Sequence, residues 1–398
     1  MSNPLLLSPL AIRDVTLRTR IVISPMATYS AVEGIANDWH LAHYGRLTLG
    51  QPASLMVEAT AVTAQGRITN GCLGLWSSEH VQPLRRITQF MKSQGVIPAI
   101  QLAHGGRKSS MQRPWHGNGP ITDADKARGD KVWDIVGPTS EPMADGYIQP
   151  HALTPDELKT LAGHWGDAAK RAIDAGFEII EIHNAHGYLV HQFLSPISNK
   201  RNDAYGGDLA GRTRFPLMIA EAVRAAVPSG TPVFLRVSAV DGIDGGWSMD
   251  DTVAYARLLK ERGIDLVDCS SGGLRGSATT ARIKRTWGFQ VPFAERVRKE
   301  AGLLSMAVGL ILDPHHAEDV LQEGGADLIA IGREALVNPS WPQMAEIALG
   351  VKPVDAMDRW PEPYGWWLKH REAALEQVRR DYGETWRDEQ TAGRAGSR

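Results

Sequence analysis

The sequence predicts one α/β domain, a (β/α)8 barrel of TIM type with an elaborated loop after the third strand and a C-terminal extension. Short apolar runs alternate with longer amphipathic stretches, as β/α units around a parallel sheet do. Eight such runs can be counted, the number that closes a barrel. Side chains able to do chemistry gather where the runs end, on the face where barrels carry their sites.

The eight candidate strands lie near Ile21–Ser24, Leu55–Ala59, Ile97–Gln101, Glu178–His183, Val233–Val237, Leu266–Ser270, Leu304–Val308 and Leu328–Ile331. Helix starts between them are well marked. Thr154-Pro155-Asp156-Glu157 is a capping box with proline at the first helical position. Ser248 with Asp251 gives a similar signal, and Asp313-Pro314 opens another helix. After Thr154, Leu158, Leu161, Trp165, Ala168, Ala169 and Ala172 recur at helical spacing. Residues 105–153 hold many Gly, Pro, Trp and Asp residues and no long periodic run, so they are expected to form a lid over the barrel mouth. Residues 1–370 are read as one domain and 371–398 as a helix end and a polar tail, expected to be disordered from about Asp388 to Arg398.

The totals narrow the functional classes. A chain of 398 residues, 43% hydrophobic and 22% charged, has ample core for a globular protein. The net charge of -2, without any block of like charge, argues against nucleic acid or an anionic membrane as partner. Cys72 and Cys269 are too few for a disulfide framework or a four-thiolate cluster and fit a reducing cytoplasm, the expected location. The N-terminus lacks a basic start and a long apolar stretch, so no signal peptide is expected.

The most informative segment is Ile182-His183-Asn184-Ala185-His186-Gly187-Tyr188, where the fourth strand emerges into a loop. Two neutral imidazoles can hold a carbonyl oxygen or phenolate, and a tyrosine can deliver a proton. Alone, the segment fits equally a metal site or a satisfied core pair. At the seventh and eighth strand ends, Gly309 and Gly332-Arg333 stand where barrels bind phosphate. Glycine lets backbone N–H groups approach an anion, and arginine adds a charge-assisted clamp; a single such glycine would merely end a strand. Arg236 at the fifth strand needs an anionic partner, either a ligand or a structural carboxylate. Gln101 offers a donor and an acceptor, suited to a heterocycle with mixed edges. Together these describe a flat, phosphorylated heterocycle such as flavin mononucleotide (FMN).

The chain resembles the old yellow enzyme family of FMN-dependent ene-reductases, and within it the bacterial xenobiotic-reductase, or thermophilic-like, branch. The likeness spans about residues 4 to 370. It rests on Ser24-Pro25-Met26, Val57-Glu58-Ala59-Thr60, Gln101-Leu102-Ala103-His104-Gly105-Gly106-Arg107, Glu181 to Leu189, the loop Arg201 to Gly207 with Arg212 and Arg214-Phe215, Arg236-Val237-Ser238, and Ile331-Gly332-Arg333. The resemblance implies that NADPH or NADH gives hydride to the flavin, which passes it to the β-carbon of an activated alkene such as an enone, maleimide or nitroalkene. It implies that His183 and His186 hold the substrate oxygen, that Tyr188 donates the proton, and that Tyr29 touches the substrate. It implies FMN contacts from Ser24, Pro25, Met26, Ala27, Ala59, Gln101, His183, Arg236, Gly309, Gly332 and Arg333. In relatives an arginine or tryptophan from the C-terminal segment enters the neighbouring subunit's site, so Trp366 or Trp367 is expected to contact substrate in a homodimer or homotetramer; ordinary surface packing is the alternative.

One departure matters. This branch usually carries cysteine directly after the Pro-Met pair, and here the residue is Ala27. Alanine has no donor for the flavin's reactive edge. Three rivals remain in view. A zinc hydrolase would need a third ligand beside His183 and His186, and His40, His43 and His104 are scattered. An iron–sulfur relative needs clustered cysteines. A non-catalytic flavin binder would not need both histidines and Tyr188. Desaturation, the same chemistry reversed, is set by potential rather than by these residues.

Overall fold

Alternation along the strands builds the barrel and puts its polar residues at one end. The computed structural model describes residues 4–274 and 283–385. We number the barrel strands β1 (Ile21–Ile23), β2 (Ser54–Ala61), β3 (Ile97–Ala103), β4 (Ile179–Asn184), β5 (Val233–Ser238), β6 (Leu266–Ser270), β7 (Leu304–Val308) and β8 (Leu328–Ile331). Each pairs in parallel with the next, and β8 returns to β1 to close the ring. All eight expected strands are present, the last three with the expected bounds and the others with ends displaced by one or two residues; Ser24 lies just past β1.

Successive strand residues point to opposite faces. Ile180 and Ile182 of β4, Leu235 and Val237 of β5, and Val267 and Cys269 of β6 join the outer core beneath the helices. The other parity fills the barrel with Ala99, Ile179, Phe234, Leu266, Met306 and Leu328. Two residues further along each of four strands the inward set turns polar: Gln101, Glu181, Arg236 and Asp268, all buried. Register sets them in two pairs, Gln101 opposite Glu181 and Arg236 opposite Asp268, offset by two residues across β4 and β5. The opposite end of the barrel is closed by a hairpin, Leu10–Ile12 paired with Val15–Leu17, whose Ile12 and Leu17 join the inner cluster. One end of the ring is therefore an apolar plug and the other a polar mouth.

Helices α1 (Asp38–Leu49), α2 (Val81–Ser93), α3 (Pro155–Asp174), α4 (Leu209–Ala226), α5 (Met249–Glu261), α6 (Val291–Arg296) and α7 (Pro314–Gln322) cover the outside. Capping boxes at Thr154 and Ser248 start α3 and α5, and Asp313 caps α7, as their sequences suggest. The apolar stripe of α3 is buried, with Trp165 fully enclosed. A last helix, Glu362–Tyr382, is largely exposed, with Gly365 its buried residue. The tail from Asp388 to Arg398 lies outside the described residues. No helix among the described residues is long and apolar enough to cross a membrane.

Between β3 and α3 the chain forms turns at Gly106–Lys108 and Pro114–His116, a short helix Asp123–Ala127, and a two-residue ladder of Val136–Gly137 with His151–Ala152. Buried polar bonds give this segment its shape. Asp125 accepts from Gln112 Nε2 (2.6 Å) and Thr122 Oγ1 (2.5 Å) and pairs with Arg128, while Asp130 pairs with Arg113 at 2.5 Å. Trp133 Nε1 donates to the Gln65 carbonyl at 3.0 Å and ties the segment to the exit of β2.

Candidate active site

The exit of β4 places three reactive side chains together. The His183 and His186 rings lie 5.2 Å apart and nearly perpendicular, and the Tyr188 ring lies 5.0 Å from His183. The turn that does this is tightly held. His186 N donates to Ser238 Oγ (2.9 Å), and Gly187 N donates to His191 Nδ1 (2.8 Å), whose Nε2 stands 2.8 Å from Asp241. Gly187 has φ +72°, and a Cβ there would sit 2.3 Å from the Gly273 carbonyl oxygen, so only glycine lets β4 and β6 approach this closely.

Burial first, then Arg236, pushes both imidazoles well below the ordinary histidine range, so both are neutral at physiological pH. Ala185 N–H donates to His183 Nδ1 at 3.1 Å. This makes Nδ1 the acceptor and leaves the ring proton on Nε2, ready to donate to an oxygen. His186 differs: its Nε2 is 2.7 Å from Ser270 Oγ, which in turn reaches Gln290 Oε1 at 3.4 Å. His186 must share or release Ser270 before both rings can grip one oxygen.

The loop after β1 carries Ala27 and Tyr29, with Tyr29 at φ +49°. A buried carboxylate anchors it: Thr28 donates to Glu58 through N (2.8 Å) and Oγ1 (2.7 Å), and Tyr44 Oη donates to Glu58 Oε1 at 3.1 Å. Burial lifts Glu58 to about 7 against these bonds. Ala59 follows it on β2 at a break in register between Val57 and Thr60. Tyr29 and Tyr188 sit close enough to act on each other, and burial lifts both phenols.

Two cavities open here. One, of about 710 Å³, is lined by Ser24, Pro25, Met26, Arg236, Gly309, Gly332 and Arg333 among others. The second, of about 480 Å³, lies under the lid between Tyr29, Met111, Met143, Tyr147 and Tyr188. His186 lines both. The larger one suits a phosphorylated planar group. A Cβ on Gly332 would meet nothing nearer than Ser24 Cβ at 3.9 Å, so its backbone is open to a ligand. Arg333 is exposed and has no ion-pair partner among the described residues.

Gln101, in the polar layer below and outside the lining of either cavity, gives one amide N–H to Glu181 Oε1 at 2.7 Å, which leaves its carbonyl oxygen able to accept from a ring N–H. The question of Arg236's partner has an answer within the chain. Its Nε lies 3.2 Å from Asp268 Oδ2 without an aligned hydrogen bond, and Nη1 donates to Ser24 Oγ at 3.2 Å. A structural carboxylate is therefore present, and the guanidinium still lines the cavity. Burial raises Glu181 and Asp268 above the usual carboxylate range, with Arg236 opposing.

Trp366 and Trp367 are not brought to these cavities within one chain. They pack perpendicular at 4.6 Å on the last helix, 55% and 69% exposed. Cys72 and Cys269 are buried and unpaired. Among the described residues the one three-residue group with metal-ligand spacing is His116, Asp125 and Asp130 in the lid, where arginines already hold both carboxylates. The sequence reading gave no role to Lys108, Ser270, Gln290 or Asp268, and took Glu58 and Glu181 only as motif residues. The acids carried a signal, since a charged residue inside an apolar strand is rarely buried unless paired.

Comparison with known proteins agrees with this geometry. Residues 5–350 match the model of the "NADH:flavin oxidoreductase / NADH oxidase family". The chain is 42% identical over 348 residues to an NADPH dehydrogenase of Geobacillus sp. (strain WCH70), covering 87% of this chain and 95% of that one. It is 41% identical over 342 residues to an NADPH dehydrogenase of Bacillus subtilis (strain 168), covering 85% and 94%. Morphinone reductase superposes with a TM-score of 0.71 at 23% identity, over 88% of this chain and 92% of that one, a likeness of fold. The family's cofactor is FMN, and the cradle of glycines and arginines at the strand exits fits it. With a closed parallel barrel, that cradle and a family match over most of its length, the chain belongs to the old yellow enzymes, the NADH:flavin oxidoreductase / NADH oxidase family, and is a flavin-dependent oxidoreductase.

Proposed function

We propose that the protein is an NAD(P)H-dependent ene-reductase that saturates alkenes activated by a carbonyl or nitro group. The observation that carries this reading is the layering at His186: its ring lines both a cofactor-sized cavity at the β7 and β8 exits and a second cavity under the lid, where Tyr188 stands, with the His183 ring 5.2 Å from His186 and 5.0 Å from Tyr188. Bound FMN would supply hydride taken from NADPH or NADH. Ser24 to Ala27, Ala59, Gln101, His183 and Arg236 would hold its ring, and Gly309, Gly332 and Arg333 its phosphate.

The residues above the ring would do the rest. His183 Nε2–H, with His186 once Ser270 yields, would hold the substrate's oxygen and draw charge from the double bond. Both rings are neutral, so they polarise without protonating. Tyr188 would donate its hydroxyl proton to the α-carbon, and Tyr29 would orient the substrate beside it. The lid, which lines the smaller cavity through Met111, Met143 and Tyr147, would exclude water from it. The relatives named NADPH dehydrogenase support NADPH as donor. Trp366 or Trp367, exposed as they are, would complete the site of a neighbouring protomer in a homodimer or homotetramer.

The test is NADPH oxidation coupled to reduction of an enone. The reading expects saturated product from wild type and a loss of about 100-fold or more in Tyr188→Phe, the usual scale for a positioned acid. Product formation unaffected by Tyr188→Phe would remove the tyrosine from its role.

A further inference from the structure

Lys108 has no part in the reading above, yet it is buried at the centre of the site, 7% exposed. It ends the turn Gly106–Lys108 after β3. Its Nζ donates to the carbonyl of His186 at 2.8 Å and to that of Gly273 at 2.6 Å, the exits of β4 and β6. The same atom stands 5.3 Å from the centroid of the Tyr188 ring. No carboxylate pairs with it among the described residues. A buried ammonium is costly unless something compensates the charge, and here two carbonyl dipoles and an aromatic face do so. A link between two loops needs only a neutral donor, so the charge calls for another reason.

We propose that Lys108 is a positioning residue for proton transfer, its ammonium held on the face of Tyr188 to stabilise the tyrosinate formed when that hydroxyl protonates the substrate. This rests on Tyr188 being the proton donor. In that step the Tyr188 O–H bond breaks and a C–H bond forms at the α-carbon. The carbon's electron pair, left by hydride arriving at the β-carbon, takes the proton. The oxygen keeps the O–H pair as phenolate until water reprotonates it. A cation attracts a phenolate ring more strongly than a phenol ring, so the interaction grows along the reaction coordinate and lowers the barrier.

The charge is also poised to be lost. Burial, then neighbouring Arg107, pulls the amine down to about 7. Around it the β4 exit presents His183, His186, His191 and Tyr188, the β1 loop Tyr29, and β5 Arg236. The β6 exit, Ser270 to Leu274, presents no titratable group. His183 and His186 stay neutral across this range, so the change beside Tyr188 falls on Lys108. Its charge is present below its own pKa and lost above it, and proton transfer slows as pH rises through about 7.

The experiment is rapid-quench measurement of saturated product from an enone by FMN-loaded, pre-reduced enzyme, from pH 6 to 9 in H2O and D2O. Wild type, Lys108→Met, Lys108→Arg, Tyr188→Phe and the Lys108→Met/Tyr188→Phe double variant are compared, with bound-flavin absorbance as the check on folding. Wild type should slow above pH 7. Lys108→Met should be about tenfold slower at pH 6, with no decline above 7 and a larger solvent isotope effect. Lys108→Arg should keep the rate to pH 9, and Lys108→Met should add nothing to Tyr188→Phe. A flat wild-type profile, a decline that survives in Lys108→Met, or additive losses in the double variant would overturn the role of Lys108; the wild-type arm stands even where a variant fails to fold. Full activity in Tyr188→Phe would instead overturn the proton-donor reading on which this one rests.

Discussion

Removing the Arg236 guanidinium separates its service to the fold from its service to the flavin. Its side chain is 9% exposed and that of Asp268 is 0% exposed, at 3.2 Å, with Glu181 also buried beside them. Arg236→Met leaves both carboxyls without their cation. Breaking a buried pair on one side costs about 3–5 kcal/mol. Adding Asp268→Asn removes the stranded charge, and replacing both partners is often near neutral, so most of that loss should return. Flavin binding should not return. A hydrogen bond from a charged group contributes about 1.5–3 kcal/mol, so FMN should bind roughly 10- to 150-fold more weakly to both variants. Urea unfolding of the apoprotein reads the first quantity, and quenching of FMN fluorescence the second. Recovery of flavin affinity along with stability in the double variant would refute the flavin contact and leave Arg236 as partner of Asp268 alone.

Three further outcomes are expected. Ala27→Cys introduces a donor at the flavin's reactive edge and should raise the two-electron potential by roughly 20 mV, the equivalent of one hydrogen bond of about 1 kcal/mol; dye-equilibration potentiometry showing no change or a fall would end that idea. Glu58 sits at about 7 in the native state against 4.5 for an ordinary glutamate, so the folded chain holds a proton that the unfolded chain has released. Its contribution is full below about pH 4.5 and lost as pH rises to 7, up to roughly 3 kcal/mol at about 1.4 kcal/mol per pH unit. Apoprotein unfolding across pH 4.5–8 should show that slope in wild type and a shallower one in Glu58→Gln; equal slopes would place the titration elsewhere. Truncation before Trp360 should raise the KM for the alkene if Trp366 or Trp367 completes a neighbour's site, and unchanged kinetics in a well-folded truncation would assign them to surface packing.

The barrel was legible because two residue parities on each strand bury into two cores, so the eight runs stand out as largely apolar, with polar residues mostly toward their C-terminal ends. The cluster at the β4 exit was legible because His183, His186 and Tyr188 sit within six residues of one another in the chain. What escaped is held by contacts between distant segments. Lys108 takes its meaning from carbonyls 78 and 165 residues away. Asp268 looked like one residue of a strand until register set it against Arg236. The turn of His186 toward Ser270 depends on how β4 and β6 lie together, which residue types alone do not encode.

The most direct measurement is an anaerobic titration of the purified protein. Flavin released on denaturation should be FMN at about one per chain; NADPH should bleach the bound flavin's absorbance, and an enone, maleimide or nitroalkene should restore it. A folded protein that takes up no FMN, or one whose reduced flavin is reoxidised by none of these alkenes, would contradict the account.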